Sequence, residues 1–263
     1  MTAGRVTPRA GSHRRPTVVT GLRAPEIEAI LASAAEHARV LGWPAPVIEH
    51  VFLAILDHSD GADTLTRAGV DVARTRVDVS RIVQYAPRPT ARPDLRPWLD
   101  AVDAWSRKLG HPRLSIGFLL AQVLAANSTV VKVLAGQGVS RVDVLNVVAH
   151  GIAKATARSI PRARVIRGAG EGKAGTYTIA FHNDDFTTFE FVCEILAQDL
   201  GATRADAEQF ASRVGAEGSA TFGVYNLRHA SKLVAKVTKK AHAAGHPLLV
   251  TVEPSEVVSR PPR

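Results

Sequence analysis

An internal repeat restricts the fold of this chain more than any other feature of its sequence. Three blocks recur in the same order at an offset of 68 or 69 residues: Ala38–Trp43 with Ser106–His111, Ile48–Ala54 with Ile116–Gln122, and Leu65–Asp71 with Leu134–Ser140. Apolar residues in and around these blocks recur every three or four positions, which predicts helices. One copy is too short to bury a core well by itself. We therefore predict that residues 23–150 form one all-α domain with pseudo-twofold symmetry.

Further along the chain, from about residue 175, apolar residues recur at every second position instead of every third or fourth. Ile179 and Phe181 alternate with polar residues, as in a half-buried strand. Thr187 and Glu190 form the capping-box pattern that starts a helix, and further helix and strand patterns follow. The predicted order is β-α-α-β-α-β, which defines a small α+β domain over residues 175–254.

The net charge of +9 is concentrated in segments that show no periodicity. Residues 1–25 contain five arginines and no acidic residue, and residues 150–173 contain six basic residues and one acidic residue. We predict a disordered basic arm at 1–22, a flexible basic linker at 151–174 and a tail at 255–263. Such arms also suit a nucleic-acid-associated protein, which is the alternative function. The patterned regions are neutral to acidic, and this makes nucleic acid the less favoured partner.

Motifs for catalysis and cofactor binding are weak. Gly168–Lys173 resembles a phosphate-binding loop, but Arg167 stands where the Walker A motif requires glycine. The single cysteine, Cys193, lies on an apolar helix face, which favours a core role over a nucleophilic one. His242 and His246 have the spacing of a helical metal site, but a glycine between them favours a capping or surface role over zinc. We predict no catalytic residue, no metal and no cofactor.

The sequence also indicates where the chain acts. No stretch approaches the roughly 18 unbroken apolar residues of a membrane helix, and no apolar block follows the N-terminal arginines as it would in a secretory signal. We expect a cytoplasmic protein without a membrane partner. An arginine-rich, acid-free N-terminus also suits an organelle transit peptide, which remains the alternative.

Residues 175–254 resemble the ClpS adaptor family. The resemblance rests on four blocks, which are Asn183-Asp184-Asp185-Phe186-Thr187, Phe191-Val192, Gly223-Val224-Tyr225 and His246-Pro247-Leu248-Leu249. The first and the last of them lie at the family's usual separation. ClpS proteins bind substrates that carry a bulky apolar N-terminal residue, the N-degron, and deliver them to a Clp unfoldase and its peptidase. The resemblance therefore implies a peptide-binding adaptor.

The same resemblance implies the site residues. The α-amino group of the substrate would be held by Asn183, Asp184 and Asp185, and by a histidine on the second helix, whose place is taken here by Gly215. The residues implied for the apolar pocket are Thr187, Phe189, Val192, Ala211, Val214 and Leu248. Methionines are usual at two of these six positions, those of Phe189 and Ala211, so the resemblance implies a pocket with altered preference.

Residues 23–150 resemble the double-repeat N-terminal domain of Clp unfoldases such as ClpA and ClpC. The resemblance rests on Leu41-Gly42 followed by Glu49-His50, whereas the second copy has Gly117-Phe118 in place of the latter pair. It implies that Glu49 helps to bind phosphoarginine. The other interpretation of Glu49 is a carboxylate that stabilises a helix start through the helix dipole.

The two resemblances belong to one pathway, so we predict a non-enzymatic adaptor or regulator of Clp proteolysis. Its partners would be a ClpA- or ClpC-type unfoldase and N-degron peptides. Unfoldase N-domains and ClpS domains bind each other, which adds an intramolecular contact between the two domains to the expectations. Lys232, Lys236 and Lys240 fall on one helix face, which is either a solvated face or a docking face for an acidic partner.

Overall fold

The computed structural model describes residues 24–111, 113–154 and 176–255. The predicted arm at 1–22, most of the linker at 151–174, and the tail beyond residue 255 lie outside the described residues. The described elements are, in chain order, α1 (Pro25–Val40), α2 (Ile48–Asp57), α3 (Ser59–Arg67), α4 (Val72–Tyr85), α5 (Arg96–Lys108), α6 (Ile116–Ala126), α7 (Ser128–Ala135), α8 (Arg141–His150), β1 (Thr176–His182), α9 (Phe189–Leu200), α10 (Arg204–Glu217), β2 (Ser219–Asn226), α11 (Leu227–Ala243) and β3 (Leu249–Pro254).

The repeat in the sequence is a repeat in the fold, with α1–α4 as the first copy and α5–α8 as the second. Gly42 follows α1 and Gly110 follows α5, with φ angles of 70° and 87°. This left-handed conformation favours glycine because a Cβ atom would clash with the backbone. The residue after each glycine donates its backbone N–H five residues back, from Trp43 to Ala38 over 2.8 Å and from His111 to Ser106 over 3.1 Å.

The core of the N-terminal domain is shared by both copies, as the pseudo-twofold prediction requires. The second helices of the copies, α2 and α6, pack against each other, and Phe52 and Leu119 are fully buried there. His50 is also fully buried. Its Nδ1 atom accepts a hydrogen bond from the Val47 backbone N–H over 3.1 Å. The all-α prediction for this region is confirmed.

The C-terminal domain has the predicted order β-α-α-β-α-β. Its sheet is antiparallel with the strand order β2-β1-β3, and in the central strand Phe181 pairs with Ala220 on one side and Val250 on the other. Ile179 and Phe181 are fully buried and pack in one cluster with residues from α9, α10 and α11. The α+β fold class is confirmed.

The predicted capping box at Thr187 is wrong by one residue. The N-cap of α9 is Thr188, whose side chain accepts a hydrogen bond from the Phe191 backbone N–H over 3.3 Å. Thr187 is not available for this role because its hydroxyl donates to Asp184. At the next helix Thr203 accepts from the Asp206 backbone N–H over 3.2 Å, as the sequence pattern predicted.

No single helix among the described residues is long and apolar enough to cross a membrane. One pair, Ile116–Ala126 and Thr129–Ala135, meets that criterion of length and composition only when both helices are counted together across a bend of 98°.

Candidate functional site

The loop Asn183–Thr187 connects β1 to α9, and Asp184 holds it in shape. One carboxylate oxygen of Asp184 accepts the backbone N–H groups of Phe186 and Thr187 over 2.8 and 2.7 Å. The other oxygen accepts the Thr187 hydroxyl over 2.8 Å. The Asp184 side chain is fully buried. A carboxylate with these three donors organises a turn, and this positions its two neighbours, Asn183 and Asp185.

Asn183 and Asp185 retain free polar groups. The backbone N–H of Asn183 donates to the Gly218 carbonyl over 2.8 Å, while its exposed side-chain amide has no partner in the described parts of the chain. Asp185 Oδ2 lies 2.8 Å from His111 Nε2, which belongs to the N-terminal domain. Asp185 Oδ1 has no hydrogen-bond partner among the residues that the structure describes. These two residues keep the acceptors that an ammonium group needs.

Phe186 brings the loop into an aromatic cluster of the N-terminal domain. Its ring centroid lies 5.9 Å from that of Phe118 and 6.4 Å from that of Trp105. The side chain packs against the buried core of the helical domain. Aromatic pairs at these distances add stabilisation beyond the area they bury.

Two histidines, His150 and His246, connect the loop to the segment that follows α11. His150, at the end of α8, donates from Nε2 to the Pro247 carbonyl over 3.0 Å and lies 3.9 Å from Asp184 Oδ2. Burial lowers the pKa of His150, against the opposing effect of the Asp184 carboxylate. His246 donates from Nδ1 to the Phe186 carbonyl over 3.2 Å, and its ring stacks on Phe191 at 4.4 Å. The predicted His246-Pro247 block therefore contacts the predicted Asn-Asp-Asp loop.

The six residues predicted for the apolar pocket divide into two groups. Four are buried in the core of the C-terminal domain: Val192, Ala211, Val214 and Leu248. Phe189 is 44% exposed, and Thr187 is half-buried with its hydroxyl bonded to Asp184. Phe189 therefore leaves apolar surface exposed at the start of α9, while four of the six side chains belong to the core.

Gly215, which stands at the position of the family histidine, lies on α10 and is exposed. It is one turn before Gly218, the residue whose carbonyl accepts the Asn183 N–H. A Cβ atom at Gly215 would meet no other atom within 4 Å. The position therefore has room for a side chain close to Asn183.

A cavity of about 280 Å³ lies where the loop faces the N-terminal domain. One wall consists of N-terminal residues, namely Ser106, His111, Ser115, Phe118, Val148 and Ala149, and the other of Asn183, Asp184, Asp185 and Phe186. None of the six predicted pocket residues lines it. Its polar groups are two carboxylates, an amide, two hydroxyls and an imidazole, and it contains no lysine or arginine.

The predicted lysine face is largely neutralised by acidic residues of α9. Lys236 pairs with Asp199 over 3.0 Å, and Lys240 pairs with Glu194 and Asp199 over 3.1 and 3.3 Å. Lys232 is exposed and has no acidic partner within the described part of the chain. The cationic surface of this helix is therefore narrower than the sequence alone indicates.

Glu49 lies in the first turn of α2 and is half-buried. This is the place where the helix dipole favours a carboxylate. In the second copy a Cβ atom on Gly117 would approach Val148 Cγ1 to 2.9 Å. A glutamate there would require the Val148 side chain to move, so the two copies are not equivalent at this position.

The described residues contain no group of three or more histidine, cysteine, aspartate or glutamate side chains that could hold a metal ion. Burial raises the pKa of the Cys193 thiol, which keeps the thiol protonated and poorly nucleophilic at neutral pH.

Three residues of the site were missed by the sequence analysis: Ser106, His111 and His150. No local motif marks them, because each acts on a residue at least 70 positions away or on a cavity formed by both domains. The repeat contains a partial signal, since His111 replaces the large Trp43 of the first copy. At this position the second copy therefore has a smaller side chain than the first.

The fold and the site define a two-domain protein built from parts of the Clp proteolysis machinery. The family model of the Clp repeat (R) N-terminal domain matches residues 24–137, and that of the ATP-dependent Clp protease adaptor protein ClpS matches residues 173–251. The ATP-dependent Clp protease adapter protein ClpS of Paracidovorax citrulli is 38% identical over 80 residues, which are 30% of this chain and 66% of that protein. The ClpS of Vibrio atlanticus is 38% identical over 77 residues, 29% of this chain and 73% of that protein.

The chain thus belongs to the ClpS adaptor family through its C-terminal domain, and a Clp repeat domain precedes that domain. A solved structure, that of Agrobacterium tumefaciens ClpS2 bound to L-phenylalaninamide, is also similar. It is 26% identical, with a TM-score of 0.31, and the match covers 32% of this chain and all of that one. The ClpS adaptor family is non-catalytic.

Proposed function

We propose that this protein is a non-enzymatic adaptor of Clp-dependent proteolysis in the cytoplasm, and that it binds substrates through a bulky apolar N-terminal residue. One observation carries the proposal. Asp184 uses its carboxylate to shape the loop, so that Asn183 and Asp185 present unused acceptors next to it. A peptide N-terminus brings an ammonium group that these acceptors would bind.

The apolar part of the substrate would add to this binding. Val192, Val214 and Leu248 are buried in the same domain, and Phe189 is partly exposed at the start of α9. Burial of one large apolar side chain contributes about 1.5–3 kcal/mol. The ammonium contact is expected to contribute a similar amount, because hydrogen bonds to charged groups contribute about 1.5–3 kcal/mol.

The test uses fluorescence anisotropy of the full chain with labelled peptides that begin with leucine or phenylalanine. We expect binding of the free peptide, and loss of binding when its N-terminus is acetylated. Asp185→Asn should weaken binding by about 10- to 150-fold. Glu217→Gln, at an exposed carboxylate at the end of α10, is the matched control and should have no effect. Equal binding of free and acetylated peptides would refute the proposal.

We also propose that a ClpA- or ClpC-type unfoldase is the partner that receives the substrate. Lys232 is the exposed cation of the docking face that is left without an acidic partner in the described residues, so it is the first position to test. Lys232→Glu should reduce retention of the protein on an immobilised unfoldase, while Lys132→Glu, at an exposed lysine of α7 in the N-terminal domain, serves as the control. Equal retention of both variants and the unmodified chain would place the docking site elsewhere.

The intramolecular contact is the third part of the proposal. Phe186 with its aromatic neighbours, the His111–Asp185 pair and the bond from His150 to Pro247 all join the same two domains. We propose that these contacts persist in solution. The loop Asn183–Thr187, called the adaptor loop below, would then bind its substrate while it is in contact with the N-terminal domain of its own chain.

A further inference from the structure

The outer edge of strand β2 has no partner strand in the described part of the chain. The strand order β2-β1-β3 leaves one side of β2 free. Apart from the pairing with β1, residues Ser219–Tyr225 make no backbone–backbone hydrogen bond to any described residue. A free edge presents a row of backbone N–H and C=O groups. These groups can bind another extended chain, which then joins the sheet as an additional strand.

Strand β2 lacks most of the features that keep edge strands from pairing. Proline and charged side chains are common protections, and Ser219–Asn226 contains neither. Val224 is 63% exposed, so the strand also offers apolar surface. The protection that is present is a bulge at Gly223-Val224, where the register with β1 shifts between Tyr177 and Ile179. A bulge disfavours pairing with the rigid edge of a second copy, whereas a flexible peptide can follow it.

Two exposed arginines stand beside this strand. Arg213 of α10 donates to the Thr221 carbonyl of β2 over 3.3 Å. Arg228 lies in the first turn of α11, which begins directly after β2. Both helices pack in one cluster with Ile179 and Phe181, so they cover the same side of the sheet. Side chains on that side of an added strand would therefore meet positive charge.

The acidic residues near the strand do not neutralise these arginines. Glu217 is exposed at the end of α10, just before β2 begins, and Glu253 lies on β3, at the other edge of the sheet. Neither Arg213 nor Arg228 forms an ion pair with any residue that the structure describes. Charge complementarity therefore favours an acidic partner for this edge over a neutral or basic one.

We propose that the free edge of β2 binds an extended segment of a partner protein in which acidic and apolar residues alternate. The segment adds to the sheet through backbone hydrogen bonds. Because side chains of a strand alternate between its two sides, every second residue faces Arg213 and Arg228, and those residues are acidic. The apolar residues add to the surface that Val224 exposes. This site is separate from the adaptor loop and does not depend on the function proposed above.

The test uses fluorescence anisotropy of the full chain with a short labelled peptide of alternating valine and glutamate. The peptide is acetylated at its N-terminus, so that its binding cannot involve an ammonium group. One control probe has lysine in place of glutamate. Another has proline in place of every second valine, which prevents strand formation without changing the charge. We expect saturable binding of the first probe alone, and weaker binding as salt screens the exposed charges.

Four variants locate the binding to β2. Arg228→Glu should weaken binding by about three- to tenfold, because an attraction between exposed charges becomes a repulsion. Arg81→Glu, at an exposed arginine of α4, is the matched control and should have no effect. Val224→Glu places a charge on the edge and should abolish binding, while Val40→Glu, at another exposed valine, should not. A thermal melt of each variant confirms folding.

Binding of the glutamate probe that depends on Arg228 and Val224 supports the site. The site is refuted if this probe does not bind, if the proline probe binds equally well, or if Arg81→Glu weakens binding as much as Arg228→Glu. A dimer in light scattering that Val224→Glu converts to a monomer would assign the edge to a second copy and also refute the acidic partner. The free leucine peptide should bind the Arg228→Glu and Val224→Glu variants unchanged, so failure of this site leaves the adaptor function standing. A parallel loss of both peptides would refute a separate site.

Discussion

Replacing Gly215 by histidine tests how far peptide binding depends on an imidazole at this position of α10, the second helix of the C-terminal domain. Gly215 is exposed on α10, and a Cβ atom there would meet nothing within 4 Å. The neighbouring Gly218 carbonyl holds the Asn183 backbone N–H over 2.8 Å, so a side chain at 215 starts close to the proposed amine contact. The substitution therefore adds a polar ring without disturbing the packing of the domain.

Two effects of this substitution have different magnitudes and different readouts. A helix is less stable with glycine than with alanine at an interior position, by about 0.5–1 kcal/mol. Gly215→Ala and Gly215→His should therefore each raise the free energy of unfolding of the protein by no more than that amount. Only the histidine adds a hydrogen bond to the ligand ammonium. Such a bond contributes about 1.5–3 kcal/mol, which corresponds to an affinity increase of about 10- to 150-fold.

The measurement is fluorescence anisotropy with the free and acetylated leucine peptides, together with chemical denaturation of each variant. We expect Gly215→Ala to match the unmodified chain in peptide affinity and Gly215→His to exceed it for the free peptide alone. The reasoning is refuted if alanine and histidine change the affinity equally, or if the acetylated peptide gains as much as the free one.

Two further predictions concern the N-terminal domain and its contact with the loop. Burial lowers the pKa of His50 to about 4, so the unfolded chain, with a histidine pKa of about 6.5, binds a proton first as the pH falls. About 3 kcal/mol of stability should be present above pH 6.5 and lost progressively towards pH 4. His50→Phe, which introduces the residue that the second copy has at Phe118, should remove this part of the pH dependence in denaturation curves, and an unchanged slope would contradict the assignment. Phe186→Ala should change the fluorescence of Trp105 and increase the radius of gyration measured by small-angle scattering, and no change in either would contradict the proposed contact between the domains.

The charge of α11 shows how tertiary contacts change a surface that was inferred from the sequence alone. Lys236 and Lys240 carry the same charge in the sequence as Lys232 does. In the fold, Asp199 lies between the first two, so their positive potential is largely cancelled at short range. Patches that are inferred from one helix alone omit the residues that a neighbouring helix contributes.

Local patterns predicted most of the secondary structure. Helix periodicity, the change to a period of two at Ile179 and Phe181, and the cap at Thr203 all depend on residues within a few positions of one another. The one-residue error at Thr187 has the same origin. Thr187 and Thr188 both suit an N-cap by residue type, and only the turn held by Asp184 decides which of them is used.

The sequence by itself determined the repeated helical domain and the α+β domain, because periodicity and capping are short-range properties of the chain, and the role of the loop Asn183–Thr187 was implied by the resemblance to the ClpS family. The tertiary structure alone decided that His111 faces Asp185, 74 residues away, and that Ser106 is buried without a partner among the described residues, beside a cavity. These contacts require two separately folded surfaces to meet. Their energy depends on shape and on the distance between charges across the interface, which no pattern within either segment encodes.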